Sequence, residues 1–149
     1  MASRYARFVA SLLSAGADID AKNSQGDTAL IGAVRRELFE MTSLLLQRGA
    51  DINATNAAGE SAVSIAAQGE TTDIFRVLLD AGADVNTADA EGDTPLMMAT
   101  QKLSLRCLKL LLENGADENA QNSKGQTALD IANDLEDDKL LAALETHSI

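Results

Sequence analysis

Tryptophan is absent from this chain, and Tyr5, Pro95, Cys107 and His147 are each the only residue of their kind among 149. One cysteine cannot close an internal disulfide, and a chain this size without one fits a reducing compartment, so a cytoplasmic location is expected. A single histidine at the C-terminal end leaves no Ser/His/Asp set. A lone buried thiol is ordinarily a small hydrophobe rather than a nucleophile. Basic residues are scarce too: 12 Lys and Arg face 23 Asp and Glu, giving a net charge of −11. That deficit removes the electrostatic footprint for a phosphate backbone, and no apolar run reaches the roughly 18 residues a membrane span needs. An enzyme, a nucleic-acid partner, a membrane partner and a cofactor are therefore not expected.

What the chain has instead is periodicity. Gly16-Ala17-Asp18, Gly49-Ala50-Asp51, Gly82-Ala83-Asp84 and Gly115-Ala116-Asp117 stand 33 residues apart, and Gly26, Gly59, Gly92 and Gly125 keep the same step. Two glycine series in lockstep mark an all-α repeat solenoid in a single domain. Its units are a half unit at 1–22, full units at 23–55, 56–88 and 89–121, and a capping unit at 122–149. The same register argues against a secretory signal at the N-terminus. Arg4 and Arg7 precede the apolar Phe8-Val9-Ala10, but Ser11 and Ser14 break the run, and the small residues Ala15-Gly16-Ala17 belong to the repeat.

Within each unit the pattern predicts a connection, a short helix and a longer one. Residues 3–15 form an amphipathic helix, with Tyr5, Phe8, Val9, Leu12 and Leu13 apolar and Ser3, Arg4, Arg7, Ser11 and Ser14 polar. It aligns with the second half of a unit: either a minimal cap, or the remnant of an array whose upstream units are missing. Thr28, Ser61, Thr94 and Thr127 are placed to cap the short helices, and Pro95 follows at a first helical position, where its missing N–H costs nothing. Ala33, Ala66, Ala99 and Ala132 recur at one short-helix position, small enough for neighbouring helices to approach closely. The long helices carry Leu44-Leu45-Leu46, Val77-Leu78-Leu79 and Leu110-Leu111-Leu112, and glycine ends them. In the last unit Ala143 and Glu145 replace leucine or valine, which reads as the polar outer face of a terminal cap, and a natural end is expected there.

Asp89-Ala90-Glu91-Gly92-Asp93-Thr94-Pro95-Leu96-Met97-Met98-Ala99-Thr100, closing at Leu110-Leu111-Leu112-Glu113-Asn114-Gly115-Ala116-Asp117, resembles the ankyrin repeat family, and the resemblance extends over essentially the whole chain. It implies a stack of helix–turn–helix pairs with short β-hairpin fingers, and protein partners held on the finger tips and the concave short-helix face. The sequence departs from the family at three places. The histidine usual after Thr-Pro-Leu is Ile31, Ser64, Met97 and Asp130, so its hydrogen bonds must be replaced or lost. The glycine usual between the two helices is Glu37, Glu70, Leu103 and Glu136, which predicts a strained turn, since positive φ disfavours a side chain. Gly32 stands where other units have Ile65, Met98 and Ile131, costing about 0.5–1 kcal/mol relative to alanine and leaving room in the core. The N-terminal third is expected to be the softest part. Such irregularity fits a natural sequence rather than a consensus design.

Carried over residue by residue, the resemblance assigns finger-tip positions to Lys22, Ser24, Gln25 and Asp27; Thr55, Ala57, Ala58 and Glu60; Ala88, Ala90, Glu91 and Asp93; and Gln121, Ser123, Lys124 and Gln126. Short-helix positions on the same flank are Arg35 and Arg36, Gln68 and Gly69, Gln101 and Lys102, and Asp134 and Leu135. Five cations (Lys22, Arg35, Arg36, Lys102, Lys124) balance five acids (Asp27, Glu60, Glu91, Asp93, Asp134), so this flank is near neutral on an acidic molecule. It contains no aromatic residue, which leaves Arg35 and Arg36 as anchor candidates. Asp89, Glu91 and Asp93 do not make a calcium loop, because Thr94 and Thr100 stand where glycine and glutamate are needed. The acidic run Asp134, Glu136, Asp137 and Asp138 reads as a solvated cap surface. The expectation is a monomeric, non-catalytic module that holds a protein partner on a rigid surface. The alternative is a truncated or engineered repeat scaffold with no partner of its own.

Overall fold

The structure, a computed structural model, describes residues 4–69 and 72–147. Ser3, Glu70 and the Tyr5 side chain, named above, lie outside the described parts. The described residues form nine helices: α1 (Arg4–Ser14), α2 (Ala29–Arg35), α3 (Phe39–Gln47), α4 (Ala62–Ala67), α5 (Thr72–Asp80), α6 (Pro95–Gln101), α7 (Leu105–Glu113), α8 (Ala128–Asp134) and α9 (Asp138–His147). They stack in two layers. The short helices α2, α4, α6 and α8 form one row, and α1, α3, α5, α7 and α9 form the other, each short helix lying on the long one that follows it.

Local chemistry accounts for the helix limits. The side chains of Thr28, Ser61, Thr94 and Thr127 accept from the amides of Ile31, Ser64, Met97 and Asp130 at 3.3, 3.3, 3.4 and 3.2 Å, as the pattern predicts. Long helices end at Gly16, Gly49, Gly82 and Gly115, all at positive φ. Amides just beyond reach back into the last turn, from Ala50 to Leu45 O and from Ala83 to Leu78 O at 3.0 Å each. One core runs between the layers, filled by Phe75, Leu78, Leu96, Met97, Leu108 and Leu111 among others, with Ala33, Ala66, Ala99 and Ala132 buried where the short helices meet. Cys107 is fully buried in it.

The three departures have distinct outcomes. Glu37, Leu103 and Glu136 sit at φ 55°, 57° and 54°, the left-handed turn that the family fills with glycine. The histidine bonds are replaced in two units and lost in two. Ser64 and Asp130 accept from the cap residue's own amide at 2.9 and 2.8 Å, while Ile31 and Met97 are buried without a polar group. The space left at Gly32 opens outward instead of into the core: nothing lies within 4 Å of an added Cβ, and the glycine lines a groove at the N-terminal end. The apolar stripe of α1 is likewise only partly covered, with Val9 and Leu13 half-buried and Phe8 and Leu12 exposed.

The fingers differ from the implied β-hairpins. Among the described residues there is no strand, only an isolated antiparallel bridge between Thr55 and Ser61. The reason lies in one side chain per finger. Asn23, Asn56, Asp89 and Asn122 each accept two amides of their own loop, two and four residues on, at 2.9 to 3.0 Å. Two loop amides are satisfied by a side-chain oxygen and a backbone bond closes each loop (Asn23 N to Asp27 O at 3.0 Å, for example), so a tight turn forms and no strand extends from it.

Candidate functional site

The finger loops form a row tied together by their backbones. Ala57 N donates to Gln25 O at 3.1 Å, Ala90 N to Ala58 O at 2.9 Å and Ser123 N to Glu91 O at 2.9 Å, so each loop hangs on the one before. The Ser123 hydroxyl also donates to Glu91 O. All four glycines of the second series have positive φ, and this close approach adds a second constraint at Gly26, Gly59 and Gly92. A Cβ on Gly26 would lie 2.6 Å from Ala57 N, and one on Gly59 2.8 Å from Ala90 N, whereas at Gly125, in the last finger among the described residues, nothing lies within 4 Å. A second tie runs through the Gly-Ala-Asp connections. Asp51, Asp84 and Asp117 donate their amides to the side chains of Asp20, Asn53 and Asn86 in the preceding unit, each at 2.8 Å.

Most of the predicted flank is presented to solvent. Lys22, Ser24, Gln25, Arg35, Arg36, Ala57, Ala58, Ala90, Glu91, Gln101, Lys102, Ser123 and Lys124 are exposed along one side. The last residue of each finger is different: Asp27 is buried, while Glu60, Asp93 and Gln126 are half-buried. Asp27, Asp93 and Gln126 each bond a polar residue eight positions on, while Glu60 accepts from Arg35 of the preceding unit and Asn56 of its own finger. Arg35 Nη2 donates to Asp27 Oδ1 and to Glu60 Oε2, both at 3.2 Å, and Asn56 Nδ2 reaches the same two carboxylates at 3.0 and 2.9 Å. Further along, Asp93 accepts from Gln101 at 3.0 Å and from Asn122 at 2.8 Å, and Gln126 donates to Asp134 at 3.0 Å. Gln68 breaks the series, turning to Met98 Sδ at 3.5 Å and Ser64 O at 3.3 Å.

Two consequences follow for the anchor residues. Arg35 is built into the base of the fingers. Partial burial works against its charge, but the hydrogen bonds and charges of Glu60 and Asp27 outweigh that and raise its pKa above the ordinary value. Arg36 has no such partner among the described residues and stays exposed. The acids that balanced the cations on paper also lie mostly at the finger bases, while Arg36, Lys102 and Lys124 stand in solvent. Asp89 and Asp93 are committed to loop amides and side chains in the same way. Sequence reading missed this network. The signal was present, since Asp27 and Arg35, Asp93 and Gln101, and Gln126 and Asp134 are polar pairs at a constant separation of eight.

The long-helix side carries a feature that sequence reading also missed. Arg76, Arg106 and Lys109 gather with Thr72, Leu110 and Glu113 around a groove of about 320 Å³ between α5 and α7. Arg76 and Lys109 are one repeat step apart. The acidic cap is partly structural: Asp137 Oδ1 accepts the amides of Lys139 and Leu140 at 3.0 Å, opening α9. At the chain's end His147 Nδ1 meets Glu118 Oε1 at 2.6 Å.

Two helical layers built from one 33-residue unit, with loops ladder-bonded along one flank, define a stacked-repeat protein whose fingers are its most regular exposed feature. The family model for ankyrin repeats (3 copies) matches residues 1–89 and again residues 63–145, and the chain belongs to the ankyrin repeat family. Members of that family generally serve as protein–protein interaction modules and are typically not enzymes. No curated protein matches the sequence.

Proposed function

We propose that this chain is a non-catalytic module that holds a protein partner across its finger tips and the exposed side chains of the short helices. The observation that carries this reading is the double tie between fingers, backbone to backbone and side chain to amide, which fixes a row of exposed side chains before any partner arrives. A preorganised surface loses little conformational entropy on binding. Arg36, Lys102 and Lys124 supply the contacts, with Glu91 between them; Arg35, Asp27 and Glu60 hold the loops in shape.

The five lysines give a direct test by amine crosslinking and mass spectrometry in native lysate. Lys22, Lys102 and Lys124 lie on the finger flank, and Lys109 and Lys139 on the long helices. Partner crosslinks concentrated on the first three support the reading, and crosslinks confined to Lys109 and Lys139 move the site to the groove around Arg76. The second reading, a scaffold with no partner of its own, is favoured by one observation: the flank has no aromatic anchor and Arg35 is used internally. A monomer that yields no reproducible crosslinked partner supports that alternative.

A further inference from the structure

Each long helix from α3 onward has a short helix laid on it: α2 on α3, α4 on α5, α6 on α7 and α8 on α9. Among the described residues α1 has none. Two side chains record the difference. Phe8 and Leu12 are 62% and 44% exposed, whereas Ile74, Cys107 and Leu140 in the register of Phe8, and Leu45, Leu78, Leu111 and Leu144 in that of Leu12, are at most 5% exposed and Met41, the first equivalent of Phe8, is half-buried. Beside them the open flank of α2 forms a groove of about 330 Å³, floored by Val9, Gly32, Leu38, Met41 and Leu45, with Arg36 among its lining.

The repeat itself says what such a groove holds. One step of 33 carries Gly32, Ala33, Arg36 and Met41 onto Ile65, Ala66, Gly69 and Ile74. Those four line the place where α4 receives α2, to which α2 contributes Val34 and Arg35 and the turn after it Glu37. Val34 is buried, and the Glu37 carboxylate lies 3.5 Å from where a Cβ on Gly69 would stand. Carried back one step, the position beside that carboxylate is Arg36. The end groove therefore has the register of an inter-repeat contact, with space at Gly32 for a larger apolar group and a cation where the internal copy has glycine.

We propose that this groove is a docking site for a short amphipathic helix of a partner polypeptide, one that carries an apolar side chain and, three residues later, a carboxylate. The apolar group seats over Gly32 against Val9, the acid pairs with Arg36, and the rest of the helix lies toward Phe8 and Leu12 on α1. A second copy stacked end on end fits less well, because it offers α8 and α9 together where only a short helix is absent. The floor belongs to α1, α2 and α3, but Gln25, Asp27, Arg35 and Arg36 of the first finger and short helix also line the groove, so the site adjoins the finger flank and shares Arg36 with it; peptide shifts on α1 and α3, which that flank does not include, tell the two apart.

The probe is a synthetic peptide of residues 23–38 of this sequence, which carries Val34 and Glu37, titrated into the isotopically labelled 149-residue chain and followed by NMR. The expected result is saturable shifts confined to α1, α2 and α3. Arg36→Glu in the protein, or Glu37→Lys in the peptide, weakens binding about tenfold, and the two together restore most of it. Phe8→Ser with Leu12→Ser, both at exposed positions, weakens binding without altering the circular dichroism. The proposal is overturned by no saturable shift up to about 1 mM peptide, by shifts mapping to α8 and α9, or by a charge swap that fails to restore binding. Self-association of the protein alone through Phe8 and Leu12 also overturns it, by giving the groove to a second copy.

Discussion

Gly26 and Gly125 occupy the same register, with φ of 78° and 74°, and differ in what lies beyond them. Replacing either with alanine forces a side chain into the left-handed region, at about 1–2 kcal/mol, partly offset by about 0.4–1 kcal/mol from the stiffer unfolded chain. For Gly125→Ala the account ends there, because the new Cβ meets nothing within 4 Å, and a net loss of about 0.5–1 kcal/mol is expected. For Gly26→Ala the Cβ falls 2.6 Å from Ala57 N, so the second finger must move and stretch the 3.1 Å bond from Ala57 N to Gln25 O. Steric displacement of about 1–3 kcal/mol and a weakened hydrogen bond of about 0.5–1.5 kcal/mol bring the total to about 2–5.5 kcal/mol. Gly59→Ala, 2.8 Å from Ala90 N, belongs with Gly26 and controls for position in the array. Urea unfolding followed by circular dichroism reads all three. Equal losses at Gly26, Gly59 and Gly125 would show that φ alone governs the series and that the contact between fingers contributes nothing.

Glu136, exposed at φ 54°, should gain about 0.5–1 kcal/mol on Glu136→Gly and nothing on Glu136→Ala; a thermal midpoint higher for alanine than for glycine refutes the strain. Asp130 is held below the usual carboxylate range by hydrogen bonds from the Thr127 amide and hydroxyl, so it stabilises the fold above that range and ceases to as pH falls through its folded value. The stability gap between wild type and Asp130→Asn should therefore narrow from about pH 5 to pH 2, and a gap that widens on acidification reverses the sign. Burial pushes the Cys107 thiol up, with a hydrogen bond to Ser104 acting the other way, so labelling by a thiol reagent should track unfolding in urea; rapid labelling of the native protein places the thiol at the surface. Arg35→Ala should lower stability by about 1–3 kcal/mol by leaving the Asp27 and Glu60 carboxylates with fewer donors, while Arg36→Ala stays within about 0.5 kcal/mol of wild type. Equal midpoints for the two variants would remove Arg35 from the finger base.

The sequence by itself determined what depends on neighbours along the chain. Caps at Thr28, Ser61, Thr94 and Thr127, helix ends at the four glycines of the Gly-Ala-Asp series, and the strained turns at Glu37, Leu103 and Glu136 are each set within a few residues, and periodicity then dictates the stack. Tertiary structure decided what depends on the next unit. Asp27 looks like a finger-tip charge until Asn56, 29 residues away, and Arg35 close around it, and Phe8 looks like core until no short helix covers it. The fingers close as turns with no strand among the described residues, because Asn23 and its equivalents take two loop amides each and a backbone bond, such as Asn23 N to Asp27 O, closes each loop. A repeat announces its own geometry through local rules, but the burial and pairing of its surface charges are set by contacts about 30 residues apart, where only the three-dimensional stack brings the partners within reach.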